Sequence, residues 1–191
     1  MPTKEILGYL SIVCAIVSMS GYFWSIYKKR TKPHVFSWLV WGIVMIVVFF
    51  AQFKQGGGPG AWVTGFSALI QFVVAGLAVF IGEKNITRSD WLAFVGALAT
   101  IPLWYATKDP LSAVVLATTI DAFAYYPTFR KSWLKPYEEN WFAYVVGTLQ
   151  WIPALFALGN YSAATVLYPT CIMTINLSLA AMLLVRRAAL K

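Results

Sequence analysis

Apolar residues along this chain come in seven long runs separated by short polar junctions, at roughly 6–27, 35–53, 60–82, 91–107, 111–129, 140–158 and 163–185. Each run has about 17 to 23 residues, and a helix needs about 20 to cross the hydrocarbon of a bilayer. Period-2 alternation is absent, which excludes a barrel. Backbone groups in lipid must be satisfied inside the segment, so the runs are predicted to be helices. The junctions carry stop and start chemistry. Gly56-Gly-Gly-Pro-Gly60 breaks the chain before the third run, Thr87-Arg-Ser-Asp90 offers an N-cap for the fourth, and Asp109-Pro110 opens the fifth. Trp62, Trp91 and Trp133 fall near predicted interfaces, where amphipathic rings anchor.

Composition sharpens this picture. The chain has 191 residues, of which 60% are hydrophobic and only 12% charged, about half the charge of a soluble domain. Such a chain is expected to be an all-α, polytopic integral membrane protein with the lipid bilayer as a partner. The net charge of +8 raises nucleic acid as a partner. The cations sit at the ends of apolar runs, which topology explains, so no nucleic-acid partner is expected. Cys14 and Cys171 lie inside apolar runs and read as small core residues. His34 is the one histidine, which argues against a protein-held metal; no cofactor is expected. The first run lacks a small-residue cleavage pattern and ends in aromatics and Lys-Lys-Arg, so no cleavable signal is expected.

Lysine and arginine divide by side. Lys4, Lys54 and Lys108 make three on one side. Lys28, Lys29, Arg30, Lys32, Lys84, Arg88, Arg130, Lys131, Lys135, Arg186, Arg187 and Lys191 make twelve on the other. The positive-inside rule then predicts an outside N-terminus, a cytoplasmic C-terminus and an odd number of spans, seven. Short loops suggest a bacterial inner membrane.

One junction has a partner. In residues 27–42 a basic cluster runs into Lys32-Pro33, and Trp38 and Trp41 follow. In residues 130–144 a basic cluster runs into Lys135-Pro136, and Trp141 and Tyr144 follow at the same spacing. The register holds upstream at an offset of 103, where Tyr22 pairs with Tyr125 and Ser18 with Asp121. A repeat of this length predicts the architecture: a first triple-helix bundle at 1–85, a linker helix at 86–108 and a second bundle at 109–191. The odd connector gives the two bundles the same orientation, so they are parallel repeats in a 3-1-3 plan.

On these residues the chain resembles the PQ-loop superfamily, which includes the SWEET sugar transporters. That resemblance implies seven helices in a 3-1-3 plan, an outside N-terminus and a basic cytoplasmic loop after the first helix of each repeat. Where the family has Pro-Gln, the second copy has Pro127-Thr128 and the first has Trp24-Ser25. The resemblance further implies proline hinges, for which Pro127 and Pro153 stand here. It also implies an asparagine contact to sugar on the third helix of a repeat, which Asn176 matches; Gln71 departs from the family residue.

Asp121 is the one ionisable group deep inside a run. A charge at that depth costs about 2.5 to 3.5 kcal/mol on insertion scales, so it is expected to face the interior or a wet cavity. Tyr125 lies one turn on, on the same face. Asp121 reads either as a substrate contact or proton-coupling site, or as a structural hydrogen-bonding group. Trp41 and Tyr144 read as flat walls for a ligand or as core. Gln71, Asn176 and, more weakly, Gln150 read as solute contacts or as interhelical hydrogen bonders. The expected substrate-binding set is Asp121, Tyr125, Asn176, Gln71, Trp41, Tyr144 and Tyr22. Glu138 and Glu139 stand where they can pair with Arg130 or Lys131 as an inner gate.

Enzyme chemistry is not expected: the runs carry no clustered carboxylates, no His/Cys pair and no phosphate loop. Every lysine lies at a membrane edge, so a retinal Schiff base is disfavoured. The expected function is alternating-access transport of a small polar solute, sugar-like or another metabolite, with proton coupling at Asp121. The alternative is a non-transporting receptor, as in the related KDEL receptors, or an assembly protein. A vitamin transporter of similar 3-1-3 plan is a further option, and a homo-oligomer is left open.

Overall fold

The computed structural model describes residues 2–83, 86–107 and 109–190; for Pro2, Ala93, Ala97, Thr100, Trp104, Thr107 and Pro127 only the backbone is described. Lys84, Lys108 and Lys191, counted above for topology, and the side chain of Pro127, named as a hinge, lie outside the described residues. The described chain is helical without a strand. Its helices are α1 (Pro2–Tyr27), α2 (Val35–Lys54), α3 (Trp62–Ile81), α4 (Arg88–Thr107), α5 (Pro110–Leu134), α6 (Trp141–Leu149), α7 (Trp151–Phe156) and α8 (Ala163–Ala189). Short 3-10 turns at Gly58–Ala61 and Pro136–Glu138 lead into α3 and towards α6.

Among the described residues, four stretches are long and apolar enough to cross a membrane: Thr3–Tyr27, Val35–Lys54, Gly58–Ile81 and Ala163–Ala189. The outer surface suits lipid. Phe80 is 81% exposed and Leu92 is 74% exposed, and many other large apolar side chains share that surface. Water would not tolerate an apolar face of that extent. An all-α integral membrane protein follows. Helix α2 is the exception to the outward apolar faces: most of its length is buried, and it packs against α3, α4 and α5.

Several helix starts follow the chemistry of their junctions. Asp109 caps α5, accepting from the N–H groups of Leu111 (3.3 Å) and Ser112 (2.9 Å), with Pro110 in the first turn. Asn140 caps α6 through Phe142 (3.1 Å) and Ala143 (3.3 Å). At the start of α4 the Asp90 carboxylate accepts from the N–H (2.6 Å) and hydroxyl (2.9 Å) of Thr87, which is the return half of a capping box.

Two spans differ from the sequence expectation. The fifth run extends to Leu134, and Lys131 in its added turns finds partners inside the protein instead of ending the helix. The sixth divides at Gln150 into α6 and α7. Pro153 has no N–H for the Leu149 carbonyl and its ring crowds that oxygen, so the bonding ladder breaks there. Gln150 keeps right-handed helical angles (φ −61°, ψ −30°), so the interruption lies in the hydrogen bonding.

The junctions gather at two ends. At the basic end Glu83 N–H donates to the Pro33 carbonyl (3.0 Å), and Lys131 Nζ donates to the Lys32 carbonyl (2.6 Å). Arg187 Nε donates to Pro136 (3.0 Å), and His34 Nε2 stands 3.4 Å from Asp90 Oδ2. Gly82 permits this approach, since a Cβ there would stand 2.3 Å from the Pro33 oxygen. At the other end Gly159 N–H donates to the Gly57 carbonyl (3.0 Å) and Lys4 Nζ to Leu158 (2.6 Å). Gly56 (φ 73°) and Gly58 (φ 57°) make that turn in the left-handed region.

Among the bonds that join the halves of the chain, two are related by the repeat. Ser37 hydroxyl donates to the Ala124 carbonyl (3.1 Å), tying α2 to α5. Asn140 amide donates to the Gly21 carbonyl (3.1 Å), tying α6 to α1. At the offset of 103 the donor Ser37 corresponds to the donor Asn140, and the acceptor Ala124 to the acceptor Gly21.

Candidate functional site

A cavity of about 70 Å³ lies inside the bundle, and α1, α2, α3, α5, α6 and α8 all contribute to its wall. Neither α4 nor α7 supplies a lining residue among those described. Small side chains make the space: Ala15 and Ser18 from α1, Ser67 from α3, Ala143 and Gly147 from α6. A Cβ on Gly147 would stand 3.4 Å from Ser18 Oγ and 3.9 Å from Asn176 Nδ2. The glycine therefore leaves both polar groups uncrowded.

Five of the seven sequence-predicted residues line this cavity: Trp41, Gln71, Tyr125, Tyr144 and Asn176. Gln150 lines it as well. They come together through specific contacts. Tyr125 hydroxyl donates to Asn176 Oδ1 (2.8 Å), which joins α5 to α8 and leaves the amide Nδ2 available. The Trp41 and Tyr125 rings lie 4.6 Å apart, an aromatic contact between α2 and α5. Gln71 Nε2 reaches only the Met45 sulfur (3.7 Å). Trp41 Nε1 and Gln71 Oε1 are buried without a partner. The wall thus offers a donor and an acceptor that the protein itself does not satisfy, a costly state unless water or a ligand meets them.

The other two predicted residues sit outside the lining. Tyr22 is buried and stacks on Trp38 at 4.8 Å. Asp121 is 1% exposed, so it faces the protein interior and not lipid. Its Oδ1 has no partner, and neither has the hydroxyl of Tyr168 on α8 or Nε1 of Trp151. Asp121 lies close enough to Tyr125 and Tyr168 to act electrostatically on both hydroxyls. The rings of Tyr168 and Trp151 are 5.8 Å apart. A second group of buried polar atoms therefore adjoins the cavity through Tyr125.

Towards the basic end the cavity wall is joined through Tyr144 to an ion pair. Tyr144 hydroxyl donates to Glu139 Oε2 (3.3 Å), and Lys131 Nζ donates to Glu139 Oε1 (2.8 Å). The pairing anticipated for this loop is present, but it is buried, with Lys131 and Glu139 side chains 8% and 3% exposed. On the far side Gln52, fully buried, accepts from Thr64 hydroxyl (2.9 Å) and donates to the Thr165 carbonyl (3.1 Å). It ties α2, α3 and α8 together.

Sequence reasoning missed Ser18 as a lining residue, although it stood in register with Asp121. Ser67, Met45, Met19 and Gly147 left no signal, because one small or flexible residue in an apolar run looks like any other. Comparison with protein-family models, with curated proteins and with solved structures finds no match.

Proposed function

We propose that this chain is a membrane transporter of a small polar solute, sugar-like or another metabolite, working by alternating access on a PQ-loop or SWEET-like plan. On this reading seven passes form a bundle at 1–85, a linker helix at 86–108 and a bundle at 109–191, with the N-terminus outside and the C-terminus in the cytoplasm. The observation that carries it is the cavity, whose wall draws on α1, α2 and α3 of the first bundle and α5, α6 and α8 of the second and, among the described residues, on none of the linker. The two 103-related bonds, Ser37 to Ala124 and Asn140 to Gly21, support two like-oriented repeats facing each other.

Trp41 and Tyr144 serve as the flat wall, and Gln71, Asn176 and Tyr125 orient the solute. At about 70 Å³ the cavity falls well below the roughly 300–1,000 Å³ usual for small-molecule sites. Solute entry therefore requires the bundles to part, and the present form is an occluded one. Asp121 couples a proton to that motion through Tyr125, its neighbour one turn away. Tyr22 supports the wall from behind through Trp38.

The test begins with a thermal-shift screen of the purified protein against sugars, amino acids and vitamins across pH, since a ligand of the folded state raises the melting temperature. The best ligand is then followed in proteoliposomes. Asp121→Asn is expected to abolish uptake driven by a pH gradient and to leave solute exchange intact; unchanged proton dependence would remove the coupling role. Gly147→Leu, which fills the cavity, is expected to abolish both the thermal shift and exchange. A second reading, a receptor or assembly protein on the same plan, draws on the small size of the cavity and the buried ion pair bonded to its wall. It predicts a thermal shift without exchange.

A further inference from the structure

Beside the basic end, between the last turns of α1 and α3, an open groove of about 560 Å³ runs along the outer surface. Phe23, Ile26, Leu77 and Ile81 give it apolar walls, and Lys29 and Lys32 stand at its mouth. Lys29 has φ 57°, and among the described residues it is the one non-glycine in the left-handed region. It closes α1: its N–H donates to Ile26 (2.8 Å), and the N–H groups of Arg30 (2.9 Å) and Thr31 (3.3 Å) donate to Ser25. A helix ended this way takes glycine most readily, because a Cβ is crowded there. Lysine is a poor choice for the backbone, and such strain points to a use for the side chain.

The neighbouring charges leave that use open. Lys28 is engaged over the Trp24 ring at 4.7 Å. Lys32 lies 3.8 Å from Glu138, which is shared with Lys135 at 4.0 Å. Lys29 has no ion-pair partner among the described residues. A cation at the mouth of an apolar groove, on a surface that faces lipid and at the level of the headgroups, complements an anionic head on an apolar tail.

We propose that this groove binds an anionic phospholipid, with an acyl chain along Phe23 and Leu77 and the phosphate held between Lys29 and Lys32. The proposal rests on the chain lying in a bilayer and does not require transport.

The experiment adds dioleoyl phosphatidylglycerol, dioleoyl phosphatidylcholine or glycerol phosphate to delipidated protein in mild detergent and reads the melting temperature and lipid retention by native mass spectrometry. Phosphatidylglycerol is expected to raise the melting temperature and stay bound, and the other two to do neither. Lys29→Gly should melt higher than the parent without lipid, because the left-handed backbone is relieved, yet bind phosphatidylglycerol about fivefold more weakly. Leu77→Trp, which fills the groove without changing charge, should also weaken binding, while Lys135→Gln should retain it. Equal stabilisation by phosphatidylcholine, equal stabilisation by glycerol phosphate as a free anion, or full phosphatidylglycerol binding by Lys29→Gly would each overturn the proposal.

Discussion

Asp109 and Asp121 are both carboxylates at helices of this chain, and their surroundings assign them opposite tasks. Asp109 is exposed at the start of α5. The Ser112 hydroxyl foremost, then the N–H groups of Ser112 and Leu111, hold its carboxyl below the usual range. In the unfolded chain it titrates near its ordinary value of about 3.9. The folded form therefore gains from this cap at all pH values above about 4, and the gain disappears as pH falls through the lower folded value. Asp109→Ala is accordingly expected to melt below the parent at pH 7, with the difference closing in acid. Melting curves of both proteins from pH 7 to pH 3 check this, and a difference that widens in acid would contradict it. The Asp-Pro pair made the cap legible in the sequence, since capping needs only residues one to three positions away. The environment of Asp121 was legible only as burial and as Tyr125 one turn on along the same helix. Its neighbour Tyr168 comes from α8 and Trp151, in ring contact with Tyr168, from α7, and nothing local to residue 121 names them.

Among the elements, the sixth run carries the clearest lesson. Its apolar pattern is continuous, and hydropathy read it as one span, yet Pro153 divides it into α6 and α7. Pro153→Ala restores an N–H opposite the Leu149 carbonyl. A proline inside a helix costs about 3 kcal/mol relative to alanine, so the variant is expected to melt higher. If the break serves as a hinge, solute uptake should slow while solute binding holds. Melting and uptake that both match the parent would show that neighbouring packing already absorbs the break. The extension of α5 to Leu134 went unread for the converse reason. A basic cluster after an apolar run looks like the end of a span, but here the cluster stays helical and Lys131 is turned into the protein.

For the molecule as a whole, the basic end is held by groups that a surface count would value at little. The Lys131–Glu139 pair is almost fully buried and links the α5–α6 junction to the Lys32 carbonyl and to Tyr144. Removing one partner of a buried pair leaves an uncompensated charge, at a cost of about 3–5 kcal/mol. Glu139→Gln is expected to destabilise by that order in denaturant unfolding in detergent. The double variant Lys131→Met/Glu139→Leu should recover most of the loss. Equal losses in the single and double variants would mean that the hydrogen bonds of Lys131 to backbone carbonyls, and not the pairing, hold this end.

The sequence by itself determined what depends on local composition: the all-helical membrane class, the approximate ends of the helices, and the gathering of cations at one end. These follow from chain length per turn, from the need to satisfy backbone groups in lipid and from the cost of moving charge across it. The residues that bear large or polar side chains on the cavity wall were also within reach, because Trp41, Tyr125, Tyr144, Gln71 and Asn176 are conspicuous in apolar runs. Tertiary structure alone decided where the space lies, because it arises where Ala15, Ser18, Ser67 and Gly147 fail to fill the gap between helices far apart in the chain. It also decided which buried polar atoms find partners, as Tyr125 does in Asn176 and Lys131 in Glu139, and which, like Trp41 Nε1 and Gln71 Oε1, are left for something else to meet.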